Sequence, residues 1–277
     1  MKKIDKLFEV ESGYAQPANH PEAKGDPFYH RLIGVIKAVF RAQGTTAVLH
    51  GLENLPTTGG AIIAANHTGW FDFIFCGTGP HVHGQRLVRF MAKKEVFSAP
   101  VIGAMMRAMH HVPVDRASGA DSIESAVDWI EKGSFVGIFP EGTISRAFEL
   151  ADFKTGAARI AQRSGGPLIP CAIWGSQRIW TKDLPRRLGR THTPVIISYG
   201  PPVPLEGTPE EVTARLKDAV QQLLDDARAE YDDRFGPFPD GERWRPASMG
   251  GSAPTLDEAE EIYREEKAAR AAKKQKK

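Results

Sequence analysis

A histidine and an aspartate five positions apart, His67 and Asp72, are the residues in this chain best suited to acid–base chemistry. They follow an apolar run at 61–65 that is short, partly β-branched and preceded by turn residues, so it predicts a buried strand. The residues after Asp72 are typical of the start of a helix. A carboxylate in such a turn can accept the Nδ1 proton of the imidazole and leave Nε2 as an outward-facing base. The pattern therefore predicts that His67 abstracts a proton.

The same residues leave a second chemistry open. A hydrolytic metal site would need several ligands, and His81, His83 and Glu141 could supply them together with His67 and Asp72. No close pair among these histidines has ligand spacing with a carboxylate following in a recognised arrangement. The sequence therefore predicts no metal.

Three segments downstream also carry polar residues within or beside apolar runs. They are Val112–Arg116, Phe139–Thr143 and Leu168–Ile173. Together with residues 66–72 they resemble, in the correct order, the four motif blocks of the glycerolphosphate and lysophospholipid acyltransferase family. The resemblance is closest to the bacterial 1-acylglycerol-3-phosphate acyltransferases and covers roughly residues 45–200.

This resemblance implies a reaction. A fatty acyl group would pass from an acyl thioester to the free hydroxyl of 1-acylglycerol 3-phosphate, which gives phosphatidic acid for phospholipid biosynthesis. The donor would be acyl-coenzyme A or an acyl carrier protein, and no cofactor is implied. The sequence shows no serine elbow or activated cysteine, so direct transfer is expected. Two alternatives stay open: transfer to glycerol 3-phosphate, another lysolipid or a glycolipid, and a non-catalytic module that binds membrane lipids.

The resemblance also assigns roles to particular residues. His67 and Asp72 would be catalytic, and a lysine in the Ala-Lys-x-Glu context of Lys93 would hold the substrate phosphate. The planar guanidinium of Arg116 suits a phosphate monoester. Glu141 would position the glycerol portion of the acceptor. The turn that follows it completes the predicted binding set with Gly142 and Thr143.

One position departs from the family pattern. The family often has an arginine directly after the threonine, whereas this chain has Ile144 there and Arg146 two positions later. Arg146 either reaches the same phosphate by a different route or leaves one phosphate contact missing. The identity of the acceptor stays open for this reason.

Strands alternating with helices across residues 45–230 predict an α/β domain with a mixed, largely parallel sheet flanked by helices. We expect a flexible leader at 1–26, an acyltransferase domain at 27–235 and a charged tail of low order at 236–277. The domain would begin with an amphipathic, basic helix at 28–42. That helix either packs on the core or lies in a membrane interface.

The composition of the chain limits the cellular compartments and partners to be expected. The chain has 277 residues and a net charge of +2, which argues neither for nor against nucleic acid, and the acyltransferase interpretation requires none. Two cysteines without a disulfide framework fit a reducing compartment. No run of about 18 uncharged apolar residues is present, so we expect no membrane-spanning helix. A peripheral location on the cytoplasmic face of the cell membrane, in contact with anionic lipid, follows from the resemblance.

Overall fold

Nine strands form one sheet in residues 1–115 and 119–275, the part of the chain that the computed structural model describes. In chain order the strands are β1 (Lys2–Ile4), β2 (Phe8–Val10), β3 (Thr46–His50), β4 (Ala61–Ala65), β5 (Val88–Lys93), β6 (Val112–Val114), β7 (Phe135–Ile138), β8 (Leu168–Trp174) and β9 (Pro194–Tyr199).

The spatial order of the strands is β1-β2-β3-β9-β8-β4-β7-β5-β6. Strands β8, β4, β7, β5 and β6 are parallel to one another, and β9 is antiparallel to β8. At the other end β3 is parallel to β9 and β2, while β1 is antiparallel to β2. The predicted mixed, largely parallel sheet is therefore confirmed.

Helices cover both faces of the sheet. In the described residues they are α1 (Pro27–Gln43), α2 (Asp72–Cys76), α3 (Thr78–Val82), α4 (Lys94–Phe97), α5 (Pro100–Ala108), α6 (Gly119–Glu131), α7 (Gly156–Ser164), α8 (Pro209–Phe235) and α9 (Leu256–Gln275). One core joins the sheet to α6, α7 and α8, and a second core joins its other face to α1 and α2. Each strand in the middle of the sheet is thus buried on both sides, which explains the unbroken apolar runs in the sequence.

The first ten residues belong to the sheet, which contradicts the predicted flexible leader in that part. Leu7, Phe8 and Val10 are buried in the core shared with α1. Strand β2 extends the sheet by pairing with β3, and Glu9 forms an ion pair with Arg234 of α8. The apolar signal is short and interrupted by charges, so the local pattern did not reveal a strand that is stabilised by a distant partner.

The predicted low-order tail is also wrong for the residues that follow α8. Trp244 and Ala253 are buried, and Phe238 packs against the same core as α8. Arg245 reinforces this packing because its guanidinium donates to both carboxylate oxygens of Asp232, at 3.0 and 2.9 Å. A segment rich in proline, glycine and serine can therefore be fixed by a few large side chains that reach the core.

The helix predicted at 28–42 is α1. Tyr29 and Phe40 are buried beneath it, whereas Phe28, Val35 and Val39 face outward and are exposed by 44%, 59% and 48%. The helix therefore carries apolar side chains on two sides. One side covers the sheet, and the other lacks a cover within the described residues.

Candidate active site

The predicted site residues lie at the carboxyl ends of neighbouring parallel strands. His67 comes two residues after β4, Glu141 three residues after β7, and Lys93 ends β5. Strand β7 lies between β4 and β5 in the sheet. Ligand sites in open α/β sheets typically form at this edge, where loops from several strands converge.

His67 and Asp72 meet as the sequence predicts. The Nδ1 atom of the imidazole lies 2.9 Å from Oδ2 of Asp72. The Asp72 side chain is fully buried, while that of His67 is 19% exposed. With Nδ1 engaged by a carboxylate, Nε2 is the ring nitrogen left to exchange a proton with a substrate.

Asp72 is held in place by several further donors. The backbone amides of Thr68 and Gly69 donate to its Oδ2 at 2.6 and 2.7 Å, and the hydroxyl of Ser176 donates to its Oδ1. A carboxylate with this many donors is fixed in position. Ser176 follows β8, and sequence reasoning missed it because nothing local distinguishes it from other loop serines.

The loop after β7 is fastened to the backbone of His67. The amide of His67 donates to Oε1 of Glu141 at 2.8 Å, and the amide of Ser145 donates to the carbonyl of His67 at 2.8 Å. The ring of Phe139 stacks on the imidazole with centroids 4.2 Å apart. These contacts hold the imidazole against one loop while Asp72 orients it from another.

The side chain of Glu141 forms its hydrogen bonds within the protein. Its Oε2 accepts from the amide of Ala151 at 3.1 Å, so both carboxylate oxygens bind backbone amides. Burial raises the pKa of Glu141 to about 8, and the amides of Ala151 and His67 oppose that shift. The predicted contact with the glycerol portion of the acceptor would require one of these hydrogen bonds to be shared.

We expect Glu141→Gln to destabilise the fold. The amide NH₂ would face a backbone N–H of His67 or Ala151, and a donor left without its acceptor costs about 1–3 kcal/mol. Urea unfolding measures the difference. Glu210→Gln, an exposed position on α8, is the matched control and should leave the free energy of unfolding unchanged.

The difference between wild type and Glu141→Gln should also depend on pH. The raised pKa means that the folded protein keeps a proton that the unfolded chain releases above its ordinary value of 4.5. This contribution to stability is complete below 4.5 and is lost as the pH rises through about 8. A difference in unfolding free energy that stays constant between pH 6 and pH 9 would contradict the assignment.

The turn at Gly142 and Thr143 receives a lysine that the sequence did not place there. Gly142 has a φ of +69°, a left-handed conformation that favours glycine, and its amide donates to the carbonyl of Phe139 at 2.9 Å. The ammonium of Lys182 donates to Oγ1 of Thr143 at 2.8 Å and to the carbonyl of Ile144 at 3.1 Å. Lys182 therefore joins the predicted binding loop.

The other three predicted cationic residues differ in their surroundings. Lys93 ends β5 beside Val114 of β6, and its charge is close enough to Lys182 to lower the pKa of that lysine. Arg116 lies outside the described residues. Arg146 is buried and forms ion pairs with Asp183 and with Glu266 of α9.

The histidines of the metal interpretation are not gathered around His67. His83 contacts the hydroxyl of Tyr14 through Nδ1 at 3.0 Å. His81 is half-buried in the groove lined by α1, and desolvation lowers its pKa to about 4. No group of three or more histidine, cysteine, aspartate or glutamate side chains within residues 1–115 and 119–275 could hold a metal ion.

An apolar groove lies between α1 and α2. Leu32 and Ile36 of α1 form one wall, and Phe73 of α2, the residue after Asp72, forms part of another. Phe73 packs edge-on against Phe90, which stacks on Phe139, the ring that covers His67. A row of aromatic rings therefore connects the groove to the imidazole.

Comparison with known proteins points to one family. A family model described as acyltransferase matches residues 47–174. The 1-acyl-sn-glycerol-3-phosphate acyltransferase of Bacillus subtilis (strain 168) is 37% identical over 148 residues, which cover 53% of this chain and 71% of the relative. A chloroplastic 1-acyl-sn-glycerol-3-phosphate acyltransferase of Brassica napus is 33% identical over 136 residues, which cover 47% of this chain and 38% of the relative.

A solved structure shares the fold. The 1-acyl-sn-glycerophosphate acyltransferase of Thermotoga maritima matches with a TM-score of 0.56 and 22% sequence identity, covering 76% of this chain and 91% of the other. This match supports the fold alone, whereas the Bacillus match covers 71% of its relative at 37% identity. The family predicted from the four motif blocks is therefore confirmed, and the chain belongs to the acyltransferase family.

Proposed function

We propose that this acyltransferase moves a fatty acyl group from an acyl thioester to the free hydroxyl of 1-acylglycerol 3-phosphate and so forms phosphatidic acid. The observation that carries the proposal is the imidazole of His67, whose Nδ1 lies 2.9 Å from the buried carboxylate of Asp72. Relatives named for this activity, at 37% and 33% identity, support the choice of acceptor.

The chemistry follows from the pair. Nε2 of His67 takes the proton of the acceptor hydroxyl as its oxygen attacks the thioester carbonyl. The C–S bond then breaks, and the thiolate leaves with a proton returned from the imidazolium. Asp72 stabilises the imidazolium between these steps. A thioester has a good leaving group, so a positioned base that contributes about 10²–10⁴-fold, with orientation of the reactants, suffices without a resident cofactor or metal.

The apolar groove is suited to a fatty acyl chain. Most of its lining is aliphatic or aromatic, and the rings of Phe73, Phe90 and Phe139 form a row of contacts between the groove and His67.

The test uses purified protein with radiolabelled acyl-coenzyme A or acyl carrier protein in mixed micelles. The acceptors are 1-acylglycerol 3-phosphate, glycerol 3-phosphate, a lysophosphatidylcholine and a glycolipid, each with and without a chelator. Phosphatidic acid formed in the presence of the chelator is the expected result. Transfer only to another acceptor would show that 1-acylglycerol 3-phosphate is not the substrate. The presence of Ile144 where the family often has arginine keeps this outcome open. Loss of activity on chelation would favour the metal interpretation, and binding of lipid without transfer from either donor would favour a binding module.

We also propose that the enzyme acts as a peripheral protein on the cytoplasmic face of the cell membrane. Val101 and Ile102 at the start of α5 are exposed by 72% and 56%, far more than is usual for large apolar side chains. Helix α5 packs against α1 through its methionines, and α1 adds its own outward-facing Val35 and Val39. No helix in the described residues is long and apolar enough to cross a membrane.

A second exposed feature lies beside the active site. Trp70, which is 45% exposed, packs against Trp180, and the guanidinium of Arg186 lies 4.5 Å from the Trp180 ring centroid. Tryptophan is enriched at the depth of lipid headgroups, and a cation there adds attraction to anionic lipid. These two aromatic rings are suited to bring the site to the membrane surface.

Replacing Val101 and Ile102 by serine should weaken membrane binding. Partial burial of two such side chains stabilises the bound state by about 1–2 kcal/mol, so the partition coefficient should fall about tenfold. Co-sedimentation with vesicles containing anionic lipid measures it. Leu256→Ser, at an exposed position on α9, is the control. Equal binding of both variants would place the membrane contact elsewhere.

A further inference from the structure

Lys182 occupies a position beside the catalytic histidine that its place in the chain does not suggest. Its neighbours fasten it there: the amide of Trp70 donates to the carbonyl of Trp180 at 2.9 Å, and the hydroxyl of Thr181 donates to the carbonyl of Thr68. The segment that carries Lys182 is thus tied to the loop between His67 and Asp72.

The ammonium of Lys182 reaches the turn that follows Glu141. It donates to Oγ1 of Thr143 at 2.8 Å and to the carbonyl of Ile144 at 3.1 Å, while the Ile144 side chain is buried and apolar. A cation from a different loop therefore lies at the predicted binding loop.

Arg146 is poorly placed to take over that role. Both Asp183 and Glu266 form ion pairs with its guanidinium, and the side chain is buried. A phosphate could reach it only by displacing carboxylates that already satisfy its charge. Of the two possibilities that the sequence left for Arg146, these ion pairs disfavour the one in which it binds the phosphate.

The electrostatics around Lys182 favour a dianionic ligand. Burial lowers the pKa of Lys182 to about 8, with further lowering by the charges of Arg146 and Lys93, while Glu266 and Asp183 raise it. Together, burial and the neighbouring charges disfavour the protonated form of Lys182. A phosphate placed between Lys182 and Lys93 would relieve their repulsion and replace lost solvation with charge-assisted hydrogen bonds.

We propose that Lys182 binds the phosphate of the acceptor at the turn formed by Thr143 and Ile144. The proposal rests on the proposed function, because it assigns a residue to the phosphate of 1-acylglycerol 3-phosphate. It makes Lys182 a residue that determines specificity for phosphorylated acceptors rather than a participant in proton transfer.

The test compares Lys182→Met and Lys182→Arg with the wild type, using full-length protein. For 1-acylglycerol 3-phosphate the methionine variant should raise KM about ten- to hundredfold, the loss expected for one charge-assisted hydrogen bond, with kcat little changed. Arginine should restore most of the affinity. For the neutral acceptor 1-acylglycerol, any transfer should be equal in wild type and Lys182→Met. Lys132→Met, at the opposite end of β7 from the site, is the control for removal of one charge.

The pH dependence provides a readout that a structural role would not affect. As the pH rises through about 8, Lys182 loses its proton, and the KM of wild type for the phosphorylated acceptor should increase. The increase should disappear in Lys182→Arg, since a guanidinium stays protonated.

Three outcomes separate the two proposals. Failure of the wild type to acylate any phosphorylated acceptor overturns the proposed function and this inference with it. If the wild type makes phosphatidic acid but the KM of Lys182→Met is unchanged, only the role of Lys182 is wrong. A loss of kcat alone, with a lowered thermal unfolding temperature, would show that Lys182 merely supports the loop at Thr143.

Discussion

Replacing His67 by alanine is expected to lower kcat for acyl transfer by about 10²–10⁴-fold, the contribution of one positioned general base. The variant keeps the buried side of the site intact, because Asp72 still accepts from Thr68, Gly69 and Ser176. The KM of both substrates should therefore change little. Initial rates with 1-acylglycerol 3-phosphate and acyl-coenzyme A measure the effect.

Two controls make the result on His67 specific. His192→Ala removes an exposed histidine from a loop outside the site and should leave activity unchanged. Added imidazole should partly restore transfer by His67→Ala, because the cavity left by the ring is open on the side that is exposed in the wild type. A His67→Ala variant that retains full kcat would remove the proton-transfer mechanism and leave another group to activate the hydroxyl.

Asp72→Asn is expected to have an effect of similar size on kcat, about 10²–10⁴-fold, for a different reason. An asparagine that turns its carbonyl oxygen toward His67 keeps the acceptor for Nδ1 and for the amides of Thr68 and Gly69. It loses the negative charge that stabilises the imidazolium while the hydroxyl proton is on His67. In the opposite orientation its NH₂ would face those donors and disturb the ring.

Ser176→Ala separates the charge of Asp72 from its orientation. This variant removes only the hydroxyl that donates to Oδ1, so the carboxyl group itself stays in place and keeps its contact with His67. We expect a loss of about tenfold or less, in line with one neutral donor. If kcat is equal for Asp72→Asn and wild type, the carboxylate is not required. If Ser176→Ala causes a large loss of kcat, the main contribution of Asp72 is to position His67.

The sequence alone was enough to predict the contact between His67 and Asp72 and the strand that precedes it. The apolar run at 61–65 forms β4 at those residues, and the motif segment Leu168–Ile173 lies within β8. Such runs are informative because a strand buried on both faces must be apolar throughout, which is a local property. The spacing of His67 and Asp72 is likewise local, since a single tight turn brings them together.

Local sequence patterns are uninformative where a residue depends on partners far along the chain. Residues 2–10 form strands only because β3 and α8 offer them a partner, and Trp244 is buried only because α8 lies beside it. Short segments of this kind contain too few apolar residues to show a period.

The same physical reason explains what tertiary structure decided at the site. Ser176 reaches Asp72 from the segment after β8, more than a hundred positions away in the chain, and Lys182 of the same segment reaches Thr143, almost forty positions away. Glu141 and Arg146 were found from their motif, but only the folded chain shows that their charged groups bind backbone amides and carboxylates. The types and spacing of residues in one turn follow from the sequence. The hydrogen bonds and ion pairs of each charged side chain form only when the sheet brings separate loops to one edge.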